Sequence, residues 1–166
     1  MELAGYIYDD HEVIRKFIQE IESAENVKIK NKIFTEMLPF LHAYFQAIET
    51  ALYSKSLSSN IYELNELALD GYEEHHLIED LVYRIRNSKK DEVLWLSRIN
   101  DFCQILDLHL SAEEVDYYAE IKNYFTPVEL DRAAVIYLKA KKSELIAAEQ
   151  EQQKPSLELS RENKLN

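Results

Sequence analysis

Glycine occurs twice in this 166-residue sequence and proline three times. A β-rich fold needs many more turn residues, so the scarcity points to long helices. The single cysteine, Cys103, excludes an internal disulfide, which fits a reducing compartment. Basic residues are in the minority: 19 Lys and Arg against 31 Asp and Glu leave a net charge of -12. That balance argues against nucleic acid as a partner, because a binder needs a basic face to displace counterions. It equally disfavours docking on anionic lipid. No stretch reaches the ~18 apolar residues needed to cross a bilayer. The opening Met1-Glu2-Leu3-Ala4-Gly5 has neither the basic segment nor the apolar run of a signal peptide. A cytoplasmic protein without membrane contact is expected.

What is present is ordinary for a globular chain: 46% apolar and 30% charged residues, with enough length for one domain and a real core. Apolar positions recur at helical spacing in five segments. The first helix is expected over 9–23, with Ile7, His11, Ile14, Ile18 and Ile21 in line and Asp9 or Asp10 as its cap. The second covers about 27–53, through Ile33, Met37, Leu41, Tyr44, Ile48 and Leu52, and a polar loop follows over 54–60. The third covers about 61–86, through Leu64, Ala68, Gly71, His75, Ile78, Val82 and Ile85. The fourth covers about 91–125, through Trp95, Ile99, Phe102, Leu106, His109, Glu113 and Tyr117. Thr126-Pro127-Val128-Glu129 then reads as a capping box with proline at the first helical position. It starts a fifth helix ending near Glu149. Residues 150–166 read as a polar, disordered tail. Short connections between long amphipathic helices predict an all-α, up-down antiparallel four-helix bundle over residues 1–149, with the fifth helix packed outside.

Three histidines fall on inward stripes: His11, His75 and His109. Glu113 follows His109 by four residues, and Glu79 follows His75 by four, which puts each pair on one helix face. That geometry lets helices hold a metal between them. Counted from the turns, positions 11, 44, 75 and 109 mismatch in height by only ~6–8 Å at ~1.5 Å rise per residue, part of which is loop. They can therefore face one another. Histidine nitrogen with carboxylate oxygen suits iron, manganese or zinc.

The segments Asp10-His11-Glu12-Val13-Ile14, Gly71-Tyr72-Glu73-Glu74-His75-His76-Leu77-Ile78 and His109-Leu110-Ser111-Ala112-Glu113-Glu114 resemble the three histidine-bearing helices of hemerythrin-like (HHE cation-binding) domains. The spacing from His11 to Leu52-Tyr53 is similar to the family's as well, and the resemblance covers about residues 7–140. It implies a four-helix core, a non-haem di-iron site of histidines and carboxylates, and the handling or sensing of oxygen, peroxide or nitric oxide. The chain departs from the pattern on its second helix. The family's His-x-x-x-Glu falls on Tyr44 and Ile48 here, and His42 points away. Glu49 sits one step off the stripe and reaches inward only at the rim.

The expected ligands are therefore His11, His75, His109 and Glu113, with Glu79 and Tyr44 as further candidates. Loss of the bridging carboxylate weakens a second metal position most, so one iron is expected rather than two. Tyr44 then serves as a hydrogen-bonding group beside the ligands or as a phenolate ligand to ferric iron. Two other readings stay open. One is a metal-free hemerythrin-like bundle acting as an interaction or regulatory module, in which Glu113 accepts hydrogen bonds from histidine. The other is a catalytic, peroxide-consuming iron protein, although no general base, nucleophile or substrate pocket stands out.

Overall fold

The structure is a computed structural model that describes residues 2–88 and 92–153. Those residues are almost wholly helical, with no strand among them. The helices are α1 (Leu3–Ser23), α2 (Val27–Ile48), α3 (Ser54–Ser58), α4 (Tyr62–Asn87), α5 (Glu92–Ala112), α6 (Tyr118–Tyr124) and α7 (Pro127–Gln153). Two single π-helical turns interrupt this series, π1 (Glu49–Tyr53) between α2 and α3 and π2 (Glu113–Tyr117) between α5 and α6. Each joins its neighbours without a break, so α2–π1–α3 and α5–π2–α6 are continuous rods and the described residues form five rods.

Local chemistry explains most of the boundaries. α1 begins at Leu3 rather than near Asp9, because Leu3 and Ile7 extend the buried stripe of His11, Ile14, Ile18 and Ile21 toward the N-terminus. Asp10 is thereby a buried interior residue and not a cap. The Lys30 ammonium reaches back to the Ile21 and Glu22 carbonyls at 2.5 and 3.0 Å, satisfying two of the last acceptors of α1. Asn26 caps α2 by accepting from the Ile29 amide at 3.0 Å. The loop expected over 54–60 is largely helix: α3 continues directly out of π1.

The capping box at α7 forms as its residues dictate. Glu129 accepts from the Thr126 amide at 2.9 Å, and the Thr126 hydroxyl oxygen accepts from the Glu129 amide at 3.3 Å. α7 runs to Gln153, past the expected end at Glu149, so residues 150–153 are helix; the rest of the expected tail, 154–166, lies outside the described residues, as does Asp91.

α1 packs against α2 and α5, and α4 packs against α5. α7 lies along α2 and also touches α1 and π1, with Ala133, Ala134 and Tyr137 buried. Asp10 of α1 fastens this last helix: its carboxylate accepts from the Tyr137 hydroxyl and from the Lys141 ammonium. Toward the start of α5 the core is apolar, as in the edge-to-face pair Phe34–Phe102 at 5.3 Å. Each such fully buried side chain contributes about 1.5–3 kcal/mol. No helix among the described residues is long and apolar enough to cross a membrane.

Candidate metal centre

Where α1, α4, α5 and π2 converge, the apolar core gives way to His11, His75, His109 and Glu113, all 0–3% exposed. The Nε2 atoms of His75 and His109 are 3.1 Å apart. Glu113 Oε2 lies 3.6 Å from His109 Nε2 and 3.2 Å from His11 Nε2. Ligand atoms of His75, His109 and Glu113 all fall within 4.8 Å of one another, and His11 joins them through Glu113. Donors on neighbouring vertices of one coordination sphere with bonds of ~2.0–2.2 Å stand roughly 3 Å apart. The spacing found here fits donors that share a single ion.

The outer nitrogens explain why the rings point this way. Nδ1 of His11 pairs with Glu114 at 2.7 Å, Nδ1 of His75 with Glu49 at 2.6 Å, and Nδ1 of His109 with Glu74 at 2.6 Å. A carboxylate only accepts, so each Nδ1 is the donor and each Nε2 is turned inward. Carboxylates behind ligating histidines fix the tautomer and raise ligand basicity. Arg15 in turn holds Glu114 at 2.7 Å, and that guanidinium keeps the Glu114 carboxyl below its ordinary range despite partial burial. The Phe45 ring stacks on His75 at 3.8 Å and 16°, fixing its plane.

Glu113 opens π2, and its two oxygens accept from the Tyr44 and Tyr53 hydroxyls, one each. Burial opposes ionisation of its carboxyl. The charge of His109 and hydrogen bonding with His11 outweigh that and hold it down at about 2. Burial, then the Glu113 charge, pushes the Tyr44 and Tyr53 phenols well up, so both stay protonated donors. His75 and His109 are driven in opposite directions. Burial lowers His75, whereas Glu113 and Glu74 overcome burial and raise His109. With both Nδ1 atoms donating outward, the 3.1 Å contact takes one proton between the two Nε2 atoms.

Tyr53 reaches Glu113 by crossing over Gly71 on α4. A Cβ at residue 71 would lie 2.5 Å from the Tyr53 Cζ and hydroxyl, so glycine is what admits the ring.

Comparison with family models, curated proteins and solved structures gives no match. The likeness to hemerythrin-like domains therefore rests on the three histidine motifs and the spacing from His11 to Leu52-Tyr53 alone.

Of the six residues singled out from the sequence, five meet at this point: His11, His75, His109 and Glu113 as facing donors, and Tyr44 as the hydroxyl between His11 and Glu113, 2.7 Å from His11 Nε2. Glu79 does not join them. It is exposed, near His42 at 4.0 Å and His76 at 3.7 Å, because the α4 stripe passes through Gly71, His75 and Ile78 and turns residue 79 outward. Ile48 is fully buried and offers no donor. Glu49 reaches His75 from the rim.

Sequence reasoning missed Glu74, Glu114 and the Tyr53 hydroxyl as parts of the site. One signal was present. Glu49-x-x-x-Tyr53 and Glu113-x-x-x-Tyr117 are the same pattern, and each fills one π turn. Single π turns inside helices are frequent at functional sites.

Proposed function

We propose that this chain is a hemerythrin-like metal-binding protein that holds one transition-metal ion, iron by preference, among His75, His109, Glu113 and His11. The observation that carries this reading is the orientation of three imidazoles, each backed at Nδ1 by a carboxylate, with Nε2 of His75 and of His109 meeting beside Glu113 and Nε2 of His11 lying 3.2 Å from the Glu113 carboxylate. A polar core needs a reason, since buried histidines and a buried carboxylate cost several kcal/mol unless partnered. The fold proposed for it is an up-down four-helix arrangement of α1, α2, α4 and α5 with α7 laid against it, supported by the short connections and the helix contacts.

Within that reading Glu113 supplies the anionic oxygen, and Tyr44 and Tyr53 hold it in place. Glu49, Glu74 and Glu114 orient the imidazoles. An iron ion at this position would supply binding or one-electron chemistry toward oxygen, peroxide or nitric oxide. With tyrosine and isoleucine at positions 44 and 48, the donor set is too small for a carboxylate-bridged pair of ions, so one ion per chain follows.

A second reading is favoured by one specific observation. Tyr44 and Tyr53 occupy both Glu113 oxygens and one proton completes the His75–His109 contact, so the cluster is satisfied without any ion. On that reading the bundle is a metal-free interaction or regulatory module. Metal content after anaerobic reconstitution with ferrous ion separates the two. One iron per chain, lost in the His75→Ala/His109→Ala double variant, is the expected result. Two irons would overturn the single-ion site, and none would leave the metal-free module.

A further inference from the structure

The donors lie behind side chains with almost no exposure, so an organic reductant cannot touch them directly. Electrons for any redox turnover must then cross protein. The aromatic residues change character where that crossing would run. Where only bulk is needed the core uses Phe34 and Phe102; beside Glu113 it uses tyrosine. A buried hydroxyl is a cost without a partner, so its use there needs an account.

The tyrosines form a file. The Tyr44 hydroxyl donates to Glu113 and lies 3.4 Å from the Tyr118 hydroxyl. The Tyr118 ring meets the Tyr8 ring edge-on at 6.3 Å, and Tyr8 is 42% exposed. A neutral phenol gives up an electron readily only when its proton has somewhere to go. Tyr44 has the Glu113 carboxylate, Tyr118 has the Tyr44 oxygen, and Tyr8 has water. A second branch leads from Tyr53 to half-buried Tyr72 at 5.2 Å, but the Tyr72 hydroxyl donates to the Glu49 carbonyl at 3.5 Å, a far weaker base than the Glu113 carboxylate.

We propose that Tyr44, Tyr118 and Tyr8 relay single electrons from a donor at the surface to the buried metal centre, with hydrogen peroxide as the acceptor there. The proposal rests on the metal-binding reading above. In balance, one peroxide takes up two electrons and two protons, its O–O bond breaks, and two waters leave. Two molecules of a one-electron donor, such as an aromatic amine, are each oxidised once at Tyr8. The two protons come from solvent, and each tyrosine recovers its own proton as its electron is replaced.

The test uses the full-length chain loaded with iron, with iron content measured in every variant. Hydrogen peroxide is added with a nitroso spin trap and no donor, and the adducts are mapped by peptide mass spectrometry. The expected result is an adduct on Tyr8 that is absent from iron-free protein. It falls to that background in Tyr118→Phe at unchanged iron content, and persists in Tyr72→Phe. In case Tyr118→Phe folds poorly, exposed Tyr8→Phe provides a second arm: peroxide-driven oxidation of tetramethyl-p-phenylenediamine should drop to the iron-free level while iron stays bound. Bound iron with no Tyr8 adduct, an adduct on Tyr72 instead, or an adduct unaffected by Tyr118→Phe would overturn the relay and leave the metal site standing. A wild-type chain that takes up no iron would overturn both.

Discussion

His75 and His109 approach through their Nε2 atoms at 3.1 Å, each with its other nitrogen pinned at 2.6 Å by a carboxylate of a different element, Glu49 of π1 and Glu74 of α4. With both Nδ1 atoms committed as donors, two neutral rings would confront each other lone pair to lone pair. Something positive must sit between them. In the protein without metal a single proton shared across the contact meets that need.

A metal ion and that proton therefore compete for one place. The His109 pKa is raised by Glu113 and Glu74 in spite of burial, so the proton is held over a wider range than in a free imidazole. Metal affinity should rise with pH, by up to about tenfold per pH unit for the one proton displaced, and flatten above the folded pKa of His109. Calorimetric titration with ferrous or zinc ion in buffers of different ionisation enthalpy checks this. The apparent enthalpy should depend on the buffer, and a buffer-independent value would contradict the displacement.

Glu113 ties the site to acid stability. Its folded carboxyl sits at about 2, below its ordinary value of 4.5. A depressed carboxyl contributes stability that is fully present above the unfolded pKa and is lost as pH falls toward the folded one. The metal-free protein should lose a few kcal/mol between roughly pH 4.5 and 2 from this group. In Glu113→Gln, the fall in Tm across that window should be shallower than in the wild type. Equal slopes would show that other carboxylates carry the acid transition.

At Gly71 the expectation runs against helix propensity. Alanine is better than glycine inside a helix by ~1 kcal/mol. Here its Cβ would fall 2.5 Å from the end of the Tyr53 ring, which is buried and bonded to Glu113. Gly71→Ala should destabilise by about 1–3 kcal/mol through overpacking. Much of that loss should vanish in a Tyr53→Leu background. A stabilised Gly71→Ala protein, measured by denaturant unfolding, would mean the ring moves aside freely.

How much of this was legible beforehand depended on period. The α5 positions Trp95, Ile99, Phe102, Leu106 and His109 repeat at helical spacing, and all are buried as the stripe requires. His11 and His75 fall on equally regular stripes, so their inward direction could be read directly. Glu74, adjacent to His75, and Glu114, adjacent to Glu113, could not be read this way. A residue next to the stripe looks like a solvated face, and only the distance to another helix shows that its long side chain bends back onto a ring. The π turns defeat a fixed period altogether, because one extra residue shifts the register of everything that follows. Asp10 was misplaced for a simpler reason: α1 starts earlier than Asp9, which moves Asp10 from the helix end into contact with Tyr137 and Lys141.

The contact between Asp10 and α7 bears on tempo. His11 follows Asp10 directly on α1, so the segment that carries one donor is clamped by two side chains of α7. Whatever enters or leaves must wait for this lid of helices to loosen, and such openings are rare, local unfolding events. Exchange at the centre would then keep the time of the scaffold's own breathing, indifferent to how crowded the surrounding solution is with its ligand.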